Sequence, residues 1–173
     1  MLKQFLELGW IVSTHGVRGE VRVQYWCDDA AFACKFKTLY LDARGEKAVR
    51  VLAARPHGNV VLMKLDGVET VEQANLLRNK TLFMARKDAK IPEGVDFIAD
   101  LIGCAVLDAD NNEKCYGTLT DVASNGANEI WEITDEAGRK HLMPAVPMMV
   151  KRTDAANDKV YISPIRGIFD DAV

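Results

Sequence analysis

Histidine is scarce: the chain has three in 173 residues, and no two have the short spacing that zinc sites use. None of the four cysteines (Cys27, Cys34, Cys104, Cys115) forms a C-x-x-C, which excludes a zinc ribbon and a thioredoxin-like site. They are expected as reduced thiols at partly buried positions in a cytosolic protein. There is no apolar run near the ~20 residues of a membrane-spanning helix. The opening MLKQFLELGW has no apolar core with a small-residue cleavage site, so no signal peptide is read, and a cytoplasmic protein without membrane contact is expected. Neither G-x-x-x-x-G-K-[ST] nor a helix-opening G-x-G-x-x-G is present, which excludes the common phosphate-cradling loops. Asp108, Asp110 and Glu113 lack the spacing and central glycine of a calcium loop. No metal and no cofactor are expected.

The balance of 49% apolar and 27% charged residues is that of a folded protein, of a length for one medium domain or two small ones. The net charge of −3 hides an asymmetry. Residues 1–90 hold 15 Lys and Arg against 10 Asp and Glu, whereas residues 91–173 hold 7 against 15. A half of each sign suggests two surfaces with different partners. A pI near 5.6 falls short of the strongly basic footprint of an independent RNA binder, so RNA contact is expected to be weak and assisted.

Short strands dominate the pattern. Gly19–Tyr25 alternates, placing Val21, Val23 and Tyr25 on one face, and similar runs follow at Thr38–Leu41, Val49–Ala53, Val60–Leu65 and Thr81–Ala85. Turn chemistry separates them at Ala43-Arg44-Gly45, Pro56-His57-Gly58-Asn59 and Asp66-Gly67. Between the last two runs, Thr70 and Gln73 form a capping box ahead of Val71, Ala74 and Leu77, which predicts a two-turn helix closing a small barrel. Arg86–Gly94 is polar, ends in turn residues and marks the change of charge sign. Beyond it strands return at Gly103–Leu107, Gly117–Val122, Glu129–Thr134, His141–Met143 and Val160–Ser163. The expected fold is mainly β, with a first barrel over 1–86 carrying one short helix, a linker over 87–97 and a second β-barrel over 98–173.

Few residues offer chemistry. Ser13, Thr14, His15 and Glu20 are close in sequence, but a catalytic triad is recognised by spatial geometry, and His15-Gly16-x-x-Gly19 reads as a tight connection or partner contact. His57 reads as a solvated turn residue and His141 as a partly buried, hydrogen-bonded ring. Arg18, Arg22, Arg44, Arg50 and Arg55 give the first half a basic cast. In the second half, Asn125-Gly126-Ala127-Asn128 forms an exposed polar loop. Pro144-Ala145-Val146-Pro147-Met148-Met149-Val150 is apolar and proline-broken, suited to covering the core or meeting a protein partner.

The order of motifs resembles one family. Leu8-Gly9-x-Ile11-Val12-x-x-His15-Gly16-x-Arg18-Gly19-Glu20-Val21 looks like the opening of RimM, the bacterial small-subunit maturation factor. Arg55-Pro56-His57, Leu65-Asp66-Gly67, Asp100-Leu101-Ile102-Gly103, Gly117-x-Leu119-x-Asp121-Val122, Gly126-Ala127-Asn128, Leu142-Met143-Pro144-Ala145-Val146 and Pro164-x-x-Gly167-Ile168-x-Asp170 follow in order. The resemblance implies an N-terminal barrel joined to a C-terminal PRC-type barrel. It also implies a monomeric, non-catalytic factor that binds free 30S precursors and promotes head assembly and 16S rRNA processing. The implied partners are the nineteenth small-subunit ribosomal protein and 16S rRNA. On that resemblance His15, Arg18 and Arg22 are expected to meet rRNA and Gly126, Asn128, Pro144 and Val146 the ribosomal protein, with Phe97 carried over from the family's linker aromatics. Where the family has paired aromatics before Asp-Leu-Ile-Gly, this chain reads Asp96-Phe97-Ile98, which leaves one.

Overall fold

Apolar–polar alternation builds both halves from strands, and the computed structural model, which describes residues 2–92, 94–111 and 114–170, divides them into two units. One unit is Lys3–Ile91; the other takes Leu2 and the chain from Pro92 onward. Glu113, of the acidic turn considered above for calcium, lies outside the described residues.

The first unit contains β1 (Phe5–His15), β2 (Glu20–Tyr25), β3 (Thr38–Tyr40), β4 (Ala48–His57), β5 (Val60–Leu65) and β6 (Thr81–Ala85). They close into a barrel in the order β1-β2-β5-β4-β3-β6. Val21 and Val23 point inward as their alternation requires and meet Leu8, Ile11, Leu39, Met63 and Leu82 in a core that water does not reach. β1 was not among the expected strands. Two register shifts, at Glu7/Gly9 and Ile11/Ser13, break its alternation, so a reading based on period two passes over it.

The predicted helix is α2 (Val71–Leu76), which follows α1 (Ala30–Ala33) in the chain. Its capping box is complete: the Gln73 N–H donates to Thr70 Oγ1 at 3.2 Å, and Gln73 Oε1 accepts from the Thr70 N–H at 3.2 Å. Ala74 is fully buried and Leu76 points outward, as the three-residue spacing requires. Thr70→Ala removes the cap and is expected to cost about 1 kcal/mol. A urea titration of the first unit, read by Trp10 and Trp26 fluorescence, checks this.

Of the residues read as a linker, Lys87–Ala89 belong to a single helical turn, α3 (Arg86–Ala89), directly after β6. Arg86 Nε fastens this turn to the Lys3 carbonyl at 2.7 Å, and Ala89 is buried.

The second unit holds α4 (Ile98–Leu101), β7 (Ala105–Asp108), β8 (Cys115–Ser124), β9 (Glu129–Thr134), β10 (Lys140–Pro144), β11 (Val150–Asp154), a 3-10 turn (Ala155–Asn157) and β12 (Lys159–Ile162). The sheet order is β10-β9-β8-β7-β12-β11, with β12 parallel to β7 and every other pair antiparallel. Among the described residues this ladder runs from β10 to β11 without closing, unlike that of the first unit. Its core is Leu101, Val106, Leu119, Trp131, Ile133, Met143, Val160 and Ile162. Pro144 ends edge strand β10, and the segment after it divides: Ala145, Val146 and Met149 pack on the core, while Met148 is exposed.

Candidate functional site

The hairpin between β1 and β2 turns at Gly16 and Gly19, both at positive φ. Gly19 is also sterically required, because a Cβ there would lie 2.5 Å from the Val68 carbonyl oxygen. The turn leaves Arg18 exposed and sets His15 opposite Glu20. His15 and Arg22 come together, with Nδ1 and Nη2 3.3 Å apart. The strand order then adds residues from far along the chain. Arg22, Leu62 and Arg55 stand in register across β2, β5 and β4, on the face opposite Val21 and Val23. The His57 ring lies 5.4 Å from that of His15. Arg55 grips Glu20 through two bonds of 2.6 and 3.1 Å, and this hydrogen-bonded guanidinium lowers the Glu20 pKa. Lys64 donates to the carbonyls of Arg18 and Val68 and pairs with Glu69. Four cations thus share this end of the barrel with two carboxylates, an anion-attracting end on which Arg18 is exposed. Sequence reading selected His15, Arg18 and Arg22 but did not assemble Arg55 and His57 with them.

In the second unit, Gly126 (φ +87) and Ala127 form a two-residue turn between β8 and β9, with Asn125 bonded to Asn128 through the backbone at 3.2 Å. Asn125 Oδ1 accepts from the Ala127 and Asn128 amides, so the loop holds its own shape. The β9–β10 register sets Pro144 opposite Ile130, and the Ala145 N–H bonds to the Glu129 carbonyl at 2.8 Å. Gly126, Asn128, Pro144 and Val146 therefore gather at one end of the sheet. Phe97 is half-buried and stands at the N-cap of α4, a separate element.

A third cluster lies where the C-terminal tail crosses the sheet. His141 places Nε2 3.0 Å from Asp135 Oδ2 and Nδ1 2.9 Å from the Ile168 carbonyl, so both ring nitrogens face oxygen acceptors. Phe169 packs against His141 and Tyr116 at 4.9 and 4.5 Å, beside a cavity of about 320 Å³. Tyr116 donates to Asp108 at 2.6 Å; burial, then this bond, push its phenol pKa well up. The His141 bond, followed by the Arg139 backbone amide, holds the Asp135 carboxyl far below the usual range. A carboxylate with a lowered folded pKa adds stability above its unfolded value, near 4, and loses it as pH falls toward the folded one. Asp135→Asn is therefore expected to lower the urea midpoint of the second unit at neutral pH, with the gap from the unmodified protein closing below about pH 4. Trp131 fluorescence from pH 7 to pH 2 measures it.

None of these clusters arranges a nucleophile. Among the described residues no hydroxyl or thiol is hydrogen-bonded to a histidine, and no group of three or more His, Cys, Asp or Glu could hold a metal. The cysteines are free thiols; burial raises the pKa of Cys27, Cys34 and Cys104, and Cys115 is exposed where a partly buried position was expected. None of the described helices is long and apolar enough to cross a membrane.

Such a chain is a two-unit, mainly β protein whose distinctive features are surfaces. Its residues 6–89 match the RimM N-terminal domain and residues 98–168 the RimM PRC barrel domain. It is 36% identical over 165 residues to a protein of Clostridium botulinum (strain Langeland) named ribosome maturation factor RimM, covering 95% of this chain and 96% of that one. The protein of the same name in Acetivibrio thermocellus is 32% identical, with 98% and 99% covered. Among solved structures it is similar to the N-terminal domain of RimM from Thermus thermophilus, at 16% identity over 51% of this chain and 96% of that one, with a TM-score of 0.43. The chain belongs to the RimM family.

Proposed function

We propose that this protein is a ribosome maturation factor that binds free 30S precursors in the cytoplasm and assists head assembly and 16S rRNA processing without catalysing a reaction. The observation that carries this reading is the match to proteins named ribosome maturation factor along nearly the full length of both chains. The second unit holds the nineteenth small-subunit protein through Gly126, Asn128, Pro144 and Val146, with Phe97 contributing from α4. Its acidic balance suits a basic partner. The first unit meets 16S rRNA through His15, Arg18 and Arg22, where cations outnumber carboxylates.

A binder shifts an assembly equilibrium only through differential affinity, so the factor must prefer the immature subunit and leave as the head matures. Sucrose-gradient sedimentation of the tagged protein from a bacterial lysate tests the proposal. Migration with free 30S and its precursors, and not with 70S ribosomes, is the expected result. A protein that stays at the top of the gradient at low salt, or binds mature and immature subunits equally, overturns it.

A further inference from the structure

The second sheet ends in two edge strands that are finished differently. β11 has a register shift between Val150 and Arg152 and carries two consecutive cations, exposed Lys151 and Arg152, the latter 4.0 Å over the Tyr161 ring. Irregular pairing and charge are devices that keep an edge from pairing with another chain. β10 pairs with β9 over five residues in unbroken register, with no such interruption. Two backbone bonds fix the phase of that ladder: Ala145 N–H to Glu129 C=O at 2.8 Å and Asp135 N–H to Arg139 C=O at 3.0 Å. Alternate residues of an antiparallel strand bond to the same neighbour, so His141 and Met143 bond to β9, whereas Lys140, Leu142 and Pro144 turn their backbone groups away from it. The Leu142 side chain is 63% exposed.

Among the described residues this edge is open, and it is short and bracketed. Lys140 is drawn across to Glu132 at 2.9 Å, and Pro144 ends the run at an outward position where its missing N–H breaks no ladder bond. An edge of this length takes a short segment and does not extend into open-ended self-pairing. Glu129 and Glu132 stand on the neighbouring β9 and Asp121 on β8 beyond it; the hydrogen bond from Lys140 lowers the Glu132 pKa. Nucleic acid has no peptide backbone with which to continue a ladder.

We infer that β10 takes up an extended, basic segment of a ribosomal protein as an added strand, with the Leu142 backbone carrying the pairing and its side chain the apolar contact. The inference rests on the proposed binding to the 30S precursor and supplies its mode.

Hydrogen–deuterium exchange of the full chain, alone and with 30S subunits from cells lacking this protein, tests it. The Lys140 and Leu142 amides are expected to exchange at least tenfold more slowly on the subunit, with β11 unchanged. Binding without protection of residues 140–144 overturns strand addition and leaves subunit binding standing; absence of binding overturns both. Leu142→Pro removes only an outward-facing N–H and is expected to weaken sedimentation with 30S at least tenfold, whereas Leu142→Ala, which keeps the N–H, weakens it less. Equal effects from the two variants overturn the backbone role. If Leu142→Pro fails to fold, the exchange measurement on the unmodified protein still decides.

Discussion

Replacing Gly117 by alanine is expected to cost the second unit about 4 kcal/mol, from backbone strain and steric overlap that add. Gly117 sits in β8 at the register shift against β7, with φ +141. A Cβ there would lie 2.2 Å from the Thr134 carbonyl oxygen and 2.9 Å from the Asp135 Cα, so it would strike the backbone of β9, which cannot rotate aside as a side chain can. A domain's whole stability is about 5–15 kcal/mol, and this one change uses much of it. Gly126→Ala is the control: its φ is also positive, at +87, but nothing lies within 4 Å of the added carbon. Strain alone makes that variant milder, by about 1 kcal/mol. Trp131, the only tryptophan beyond residue 26, reports the second unit separately in a urea titration. Equal midpoints for the two variants would show that β8 and β9 are not as close as described.

The pattern that made some elements legible also explains the ones it hid. The β5, β6 and β9 ranges agree with the expected runs Val60–Leu65, Thr81–Ala85 and Glu129–Thr134, because each is a short run rich in apolar and β-branched residues. α2 was legible through two side chains, Thr70 and Gln73, whose reciprocal bonds are local in sequence. β1 was hidden by its two register shifts, and β11 by Lys151 and Arg152, which give an edge strand the look of a loop. α1, α3 and α4 are four residues each, too short for a helical period to show. His15 and Arg22 were expected at one contact surface through the family resemblance, and the β1–β2 hairpin brings them together across seven residues. Arg55 and His57 join them only because β5 lies between β2 and β4, a consequence of the non-local β2–β5 pairing that no local signal carries. Likewise, the loop at 125–128 and the segment at 144–146 share an end through the β9–β10 register.

The same β2–β5–β4 order sets up a pair of substitutions with opposite expected signs. Arg18 is exposed, so Arg18→Gln removes positive charge at little cost to the fold. On the proposed reading it should weaken binding to free 30S subunits about tenfold at low salt and flatten the dependence of log K on log salt by about 0.7–0.9 per lost phosphate contact. Glu20 works the other way: its carboxylate occupies the Arg55 guanidinium at 2.6 Å and offsets part of the local charge. Glu20→Gln frees Arg55 for phosphate and should tighten binding by about threefold, with a steeper salt dependence. A purely structural role for the pair predicts the reverse, since losing this ion pair would loosen the β2–β5–β4 face and reduce any binding built on it. Sedimentation binding at several salt concentrations, with urea midpoints measured in parallel, separates the two accounts. If Arg18→Gln and Glu20→Gln shifted affinity in the same direction, this end of the barrel would not face phosphate, and its charges would serve only the fold of the first unit.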